Sequence, residues 1–425
     1  MKKKDRLQPI FIVIYPYIFS DFVYSLLELG DFEPYCNVEV WDISLIVTPK
    51  FSKKLSMSTS DNKDVFLLTS FADFVRHVLK LKNQSRETKV CILNEIPNSS
   101  FIELVCNMII TLLLKKNDIV ILDLYNGGIP LFVNDTISGN AIHHRSSLVA
   151  RVVKLLTKTS SFKEVRIKVV ANFIHLLRRF LPLNPSHRLV AGEDWLARAQ
   201  RVDFVQNTVK MVSGHSHDYS NYLRQKTKLK DSEFLQGKTA VLLDGPDPMF
   251  ASDLFGLGRK IHFTSDIWYP ALTKLFDKIE LETEVKTEIA GHYKAKHPAI
   301  ASCFGNRRVY YGRTCEMVSK SAFVITIKST AISYAVAFRK PVILIYSDQL
   351  KHDLQLMSDI KLVATTLGIN PINIDDPNID FSSLLKIDED KYLKYEQKCL
   401  TSTNSLRSNA LIIMEDIMNI QCDPS

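Results

Sequence analysis

Ser329 and Thr330 follow the apolar run AFVITI after the single residue Lys328 and directly precede AISYAVAFR. If a strand hands over to a helix there, both hydroxyls and the first unbonded N–H groups of that helix point at one spot, which attracts phosphate. Their ordinary reading is as N-cap residues, and capping is compatible with phosphate binding. Upstream, His297 stands in a loop after the run EIAGH. An imidazole there can donate to a leaving phosphate, as a general acid or as a charge-stabilising donor, or it is a structural histidine. Pro298 stiffens that loop. Arg313 and Lys328 either neutralise a phosphate or are solvated surface charges. Glu316 falls in the first turn of the segment TCEMVSK, either accepting two ribose hydroxyls or complementing the helix dipole. Asp244 ends the strand-like run VLLD and is a candidate for direct catalysis.

Other groups able to accept a proton stand in the first half of the chain. The candidates are His215, His217 and Asp218 in GHSHDY, and His143, His144 and Arg145 in IHHR. Of these, His215 and Asp218 are preferred for contact with an acceptor molecule. The HSHD spacing sits in an expected loop without further carboxylates nearby, which is a poor metal set, so no metal or other cofactor is expected.

The elements that must position these groups read as strands alternating with helices in both halves. FIVIY, VEVWDISLIV, KVCILNE and DIVILDLY are continuous apolar runs, separated by the helix-period segments SDFVYSLLELGDF, FVRHVLKLK and FIELVCNMIITLLLKK. Such runs indicate parallel strands covered on both faces. In the second half TAVLLDG, EIAGH, RVYYG, AFVITI and PVILIY alternate with WYPALTKLFDKIELET, TCEMVSKS and AISYAVAFR, the order of a nucleotide-binding βα repeat. The fold class is therefore α/β with two Rossmann-like domains facing a cleft. The Lys-rich run RQKTKLKDSEF marks the boundary. Expected domains are 1–228 for the acceptor, 229–385 for the nucleotide, and 386–425 as terminal helices packing back on both.

With 425 residues, 46% of them hydrophobic, the chain has ample material for two cores. A net charge of +8 with scattered Lys and Arg favours an anionic small molecule or a membrane surface over nucleic acid. Seven widely spaced cysteines without a CxxC pair point to reduced thiols and a cytoplasmic setting. FIVIYPYIF reads as a buried first strand rather than a signal peptide, and ELVCNMIITLLL is too short to cross a bilayer. ANFIHLLRRFLPL is an amphipathic helix, packed on the sheet or meeting anionic lipid through Arg178 and Arg179.

His297–Pro298, the TCEM start at Thr314, the STA at Ser329 and the run AVAFRKPVI together resemble the C-terminal domain of bacterial surface-polysaccharide glycosyltransferases of the GT-B fold. They also resemble the sialyltransferase and Kdo-transferase groups, in which an HP pair and a later Ser/Thr pair face the nucleotide of a CMP-sugar. The resemblance spans Leu242 to Ser347 and reaches the first half only through general architecture. It implies a metal-independent transferase that moves a sugar from a nucleotide-sugar to a glycan or lipid-linked acceptor in capsule or lipopolysaccharide assembly. Donor contacts would come from His292, Lys296, Pro298, Arg313, Thr314, Glu316, Lys328, Ser329 and Thr330, and catalysis from His297, Asp244, His215 or Asp218. In sialyltransferases an acid-acid-Gly motif supplies the base, but here Leu243 replaces the first acid and the motif lies in the second half. A peripheral place on the inner face of the membrane and a homodimer fit the same picture. A nucleotide-sugar epimerase with this twin-domain fold and a non-catalytic assembly partner are the alternatives.

Overall fold

The computed structural model describes residues 8–49, 62–97, 100–114, 119–125, 127, 185–202, 209–228, 237, 239–245, 248, 263–292 and 302–422. The first sheet runs in the order β3-β2-β1-β4-β5-β6-β7. Its strands are β1 (Ile10–Tyr15), β2 (Asn37–Asp42), β3 (Val65–Leu67), β4 (Val90–Asn94), β5 (Val120–Tyr125), β6 (His187–Val190) and β7 (Lys210–Ser213). The second sheet runs β10-β9-β8-β11-β12-β13. It is built from β8 (Thr239–Leu243), β9 (Lys286–Gly291), β10 (Val309–Tyr311), β11 (Ser321–Thr326), β12 (Val342–Tyr346) and β13 (Ile372–Asn373). Every strand pair is parallel. The order reverses between β1 and β4 in one sheet and between β8 and β11 in the other, the doubly wound arrangement expected from the sequence.

Side-chain alternation explains why the strands are apolar throughout. In β1, Phe11 and Val13 face one core while Ile10, Ile12 and Ile14 face another, so neither face meets water. The helices Phe71–Gln84 and Phe101–Leu114 cover the second of these faces with Phe74, Val78, Leu81, Cys106, Ile110 and Leu114. None of the seven cysteines is in a disulfide, and five are buried among apolar groups.

The C-terminal tail joins the two halves. Tyr392 and Tyr395, from the helix Glu389–Tyr395, fill the core of the second sheet, and the Tyr392 hydroxyl donates to the Lys340 carbonyl at 2.9 Å. The chain then crosses to the first sheet. Gly192, at φ +77°, lets the tail pass so close that an added Cβ would lie 2.3 Å from the Lys398 carbonyl oxygen. Ser402 donates from its N–H to the Gly214 carbonyl at 3.0 Å and from its hydroxyl to the Val190 carbonyl at 2.5 Å. Beyond it, Ala410, Ile412, Ile413, Met414 and Ile417 enter the core beneath β1.

Four local features differ from the sequence expectations. The segment SDFVYSLLELGDF is two helices, Asp21–Leu26 and Leu29–Phe32, broken at Glu28 with φ 57°. That turn buries the Glu28 carboxylate, whose Oε2 accepts the Ala410 N–H at 3.0 Å. VEVWDISLIV ends as a strand at Asp42 and continues as the helix Ser44–Val47, because the Asp42 carboxylate accepts the N–H groups of Ser44 and Phe19, both at 2.9 Å. Strands β6 and β7, four residues each and unmarked by any apolar run, extend the first sheet. His217 and Asp218 open the helix His217–Lys228 instead of lying in a loop. The pairs His143–His144, Arg178–Arg179 and His297–Pro298, with Arg145 and Lys296, lie outside the described residues.

The Asn409 side chain brackets His215: its Oδ1 accepts the His215 N–H at 3.0 Å and its Nδ2 donates to the His215 carbonyl at 2.8 Å. Asn409→Ala strips both partners from buried backbone groups. The expected loss is about 2–4 kcal/mol of unfolding free energy, read as a lower urea midpoint.

Candidate active site

The helix His217–Lys228 leaves the C-terminal edge of β7, and the helix Ile332–Ala337 leaves that of β11. Their first turns meet. The Asp218 carboxylate takes hydrogen bonds from the Tyr334 and Ser333 hydroxyls, and Asn221 Nδ2 donates to the Tyr334 hydroxyl at 2.9 Å. The first sheet at β7 and the second at β11 therefore meet through these helices, and each sheet has one strand-order reversal, at β1/β4 and at β8/β11. Ligands of open α/β sheets bind at such reversals.

On the second sheet this point gathers three segments distant in sequence. Thr326 Oγ1 donates to the Leu243 carbonyl at 3.1 Å, tying β11 to β8. Gly245 lies against the following turn, where a Cβ would stand 3.1 Å from the Lys328 carbonyl oxygen. The Asp244 carboxylate accepts the Gly245 N–H at 3.1 Å and approaches the His292 N–H at 3.4 Å. Asp244, His292 and Lys328–Thr330 are thus neighbours.

Within the turn the hydrogen bonding departs from the simple cap. Ala331 is the N-cap, Ser329 Oγ accepts the Ala331 N–H at 3.3 Å, and the N–H groups of Ile332, Ser333 and Tyr334 go to carbonyls three residues back. The first helical N–H groups are therefore already used. The backbone N–H groups of Ser329 and Thr330 have no acceptor among the described residues, and Thr330 is exposed. Consecutive N–H groups of that kind form an anion-binding concavity.

The expected positive groups are committed elsewhere. Lys328 Nζ pairs at 2.5 Å with Asp359, whose side chain is 2% exposed. Arg313 grips Glu316 through Nε at 2.9 Å and Nη2 at 2.8 Å, and Lys320 adds a third contact at 3.2 Å. The Arg313 bonds hold the Glu316 carboxyl down at about 2. Ribose hydroxyls at Glu316 would have to share that carboxylate, which sits in the first turn beside Thr314.

His215 is not an acceptor contact. It is fully buried in the seam with the tail, its Nδ1 2.9 Å from Thr401 Oγ1 and its Nε2 3.1 Å from the Arg407 carbonyl. Burial pushes it down to about 4, so it is a neutral structural imidazole. His217 is likewise depressed to about 4 by burial, against a hydrogen bond to the Leu26 carbonyl. Asp218 moves the other way: burial raises it to about 7, opposed by the Tyr334 and Ser333 hydroxyls. The single proton of the Ser333 hydroxyl serves either Asp218 or the Thr330 carbonyl, 2.8 Å away.

One group at the first sheet's reversal carried no expectation. Glu95 directly follows β4, anchored by its N–H to the Ile14 carbonyl of β1 at 3.1 Å. Burial, and then the nearby Asp123, raise its carboxyl to about 7. Asp123 itself is held by Arg188 through bonds of 2.8 and 2.7 Å, and the Arg188 guanidinium stacks 4.1 Å from the Tyr125 ring. The sequence signal was present, since KVCILNE ends in an acid as VLLD does.

No protein-family model and no curated protein sequence matches the chain. Among solved structures it is similar to UDP-GlcNAc 2-epimerase from Neisseria meningitidis bound to UDP-GlcNAc, at 10% identity over 97% of this chain and 100% of that one, TM-score 0.46. It is also similar to the glycosyltransferase SnogD from Streptomyces nogalater, at 10% identity over 97% and 99%, TM-score 0.44. MurG from Acinetobacter baumannii gives 8% identity over 97% and 100%, TM-score 0.41. The fold rests on the strand pairing itself, to which overlaps this loose add nothing.

Because Asp218 binds its proton more tightly when folded, its contribution is full below roughly pH 4 and is lost as pH rises to about 7. Asp218→Asn removes that loss. Urea unfolding at pH 5 and pH 8 is expected to show the wild type losing on the order of 2 kcal/mol more than the variant over that interval.

Proposed function

We propose that this protein is a glycosyltransferase that takes a sugar from a nucleotide-sugar bound at the second sheet and passes it to a surface glycan bound at the first. One observation carries the reading. Asp244, His292 and Lys328–Thr330 come together at the β8/β11 reversal. A phosphate there would meet the Ser329 and Thr330 N–H groups and hydroxyls, with Lys328 behind them. His297, carried over from the resemblance, would donate to the same phosphate as the sugar bond breaks.

The donor class proposed is a CMP-sugar of the sialic acid or Kdo type, whose carboxylate would engage Lys296 or Arg313. Capsule or lipopolysaccharide assembly at the inner face of the bacterial membrane follows from the same resemblance. Among the described residues no helix is long and apolar enough to cross a membrane, which accords with peripheral attachment. An epimerase would use the same donor site without an acceptor, and product formation that does not depend on added glycan would favour it.

The test is a melting-temperature panel of CMP, CDP, UDP, GDP and ADP on the wild type and on a Ser329→Ala/Thr330→Ala double variant. A ligand that binds only the folded state stabilises it by about 2.7 kcal/mol at a hundred times its Kd. One nucleotide is expected to stabilise the wild type and to lose that effect in the variant. Stabilisation by none of them overturns the donor site.

A further inference from the structure

We propose that Glu95 is the proton acceptor of the reaction, taking the proton from the glycan hydroxyl that attacks the donor sugar. This rests on the transferase reading above and assigns the base that reading lacks.

Position is the first support. Glu95 follows β4 at the place where the strand order of the first sheet reverses, and its N–H is pinned to β1. That is the first sheet's counterpart of Asp244 and the Ser329–Thr330 turn, and the helices that follow β7 and β11 join the two sheets at Asp218 and Tyr334. A base must stand on the side of the cleft opposite the leaving phosphate, because the hydroxyl arrives from there.

Rigidity is the second. Asn94 Oδ1 accepts the Ile96 N–H at 3.3 Å, Asn94 Nδ2 donates to Asn107 Oδ1 at 2.7 Å, and Asn107 Nδ2 donates to the Ile96 carbonyl at 3.3 Å. The residues on both sides of Glu95 are thus clamped to the helix Phe101–Leu114, which holds a catalytic group to its geometry. The clamp binds neighbours and leaves the carboxyl unengaged: Glu95 has no side-chain hydrogen bond among the described residues.

Electrostatics is the third. Asp123 on β5 faces Glu95, with its own charge answered by Arg188 on β6, and Tyr15 closes β1 alongside. Burial and Asp123 tune the carboxyl to about 7, where a base works best near neutral pH. Asp218, which titrates in the same range, is less suited because the Tyr334 hydroxyl already engages its carboxylate where the helices after β7 and β11 meet.

In the step itself the acceptor O–H proton moves to a Glu95 oxygen as the acceptor oxygen bonds to the anomeric carbon. The bond from that carbon to the phosphate oxygen breaks, its electron pair leaves with the phosphate, and Glu95 later returns the proton to water.

The experiment uses the full chain as wild type, Glu95→Gln and Glu95→Asp. Nucleotide stabilisation is measured first, and then release of free nucleotide from CMP-N-acetylneuraminate, UDP-N-acetylglucosamine and GDP-mannose between pH 5 and 9. Glu95→Gln is expected to bind nucleotide as the wild type does, to release it 100- to 10,000-fold more slowly, and to lose the acid limb of the pH profile; Glu95→Asp recovers part of the rate. Turnover by Glu95→Gln within threefold of wild type, or an unchanged acid limb, overturns the assignment. Failure of the transferase reading looks different: the wild type is stabilised by no nucleotide and releases none, and the base then falls with it. If the wild type binds nucleotide but turns over none of the three donors, the carboxyl-stretch infrared difference between pH 5 and pH 9 decides. A band titrating near neutrality, present in wild type and missing in Glu95→Gln, upholds the assignment, and its absence overturns it.

Discussion

The seam between the C-terminal tail and the end of β7 is the constraint on which the cleft depends. Two α/β domains in one chain move against each other unless their interface is large or specifically bonded. Here Thr401 and Arg407 occupy both ring nitrogens of His215, Asn409 occupies its backbone, and Ser402 spans the ends of β6 and β7. His215 itself is fully buried, so breaking its bonds leaves an unpaired buried group instead of a hydrated one. The tail begins in the core of the second sheet and ends in that of the first, which makes a covalent strap of it. Its two helices both finish in π-helical turns, Glu396–Leu400 and Ile413–Ile417, a local widening common where a helix must meet an outside demand.

With the edges held opposite each other, the two sides of the cleft divide the electrostatic work. On the second sheet the strong charges cancel in pairs, Lys328 with Asp359 and Arg313 with Glu316, while backbone N–H groups hold Asp244. What remains to meet an anion is largely oriented N–H and O–H dipoles, which favour phosphate without the desolvation cost of a bare cation. On the first sheet the trend is reversed. Burial lifts Glu95 and Asp218 toward neutrality, so protons can be exchanged there at ordinary pH. One side thus suits a fixed negative charge and the other suits a moving proton.

The architecture was legible in the sequence because buried parallel strands must be apolar on both faces, and FIVIY, KVCIL, AFVIT and VILIY are. The positions of Asp244 and the Ser329–Thr330 turn followed, since strand ends are where α/β sheets bind. What escaped were contacts made at long range. His215 looked like a catalytic histidine in GHSHDY because nothing local announces Thr401, Arg407 and Asn409, which lie nearly two hundred residues on and satisfy it. HRLV and KMVS were missed as strands because their pairing partners, rather than their own apolarity, make them strands. Glu316 looked available until Arg313, three residues before it on the same surface, was placed against it. Glu95 carried the strand-end signal of Asp244, but only the strand order shows that both stand at reversals.

Three raised carboxyls make the stability of the molecule depend on pH at particular places. Glu28, Glu95 and Asp218 are all lifted chiefly by burial, and none lies in the middle of a sheet. Glu28 joins the helix break after β1 to the tail through Ala410, with its Oε1 unpartnered among the described residues. Asp218 joins the two domains, and Glu95 follows β4 at the strand-order reversal of the first sheet. Each binds its proton more tightly folded than unfolded, so each gives up stability as pH rises, Glu95 and Asp218 as it climbs to about 7. The strands themselves contain no such group, and their hydrophobic burial hardly responds to pH. Deprotonation therefore acts on the seam and the junction before it acts on either sheet.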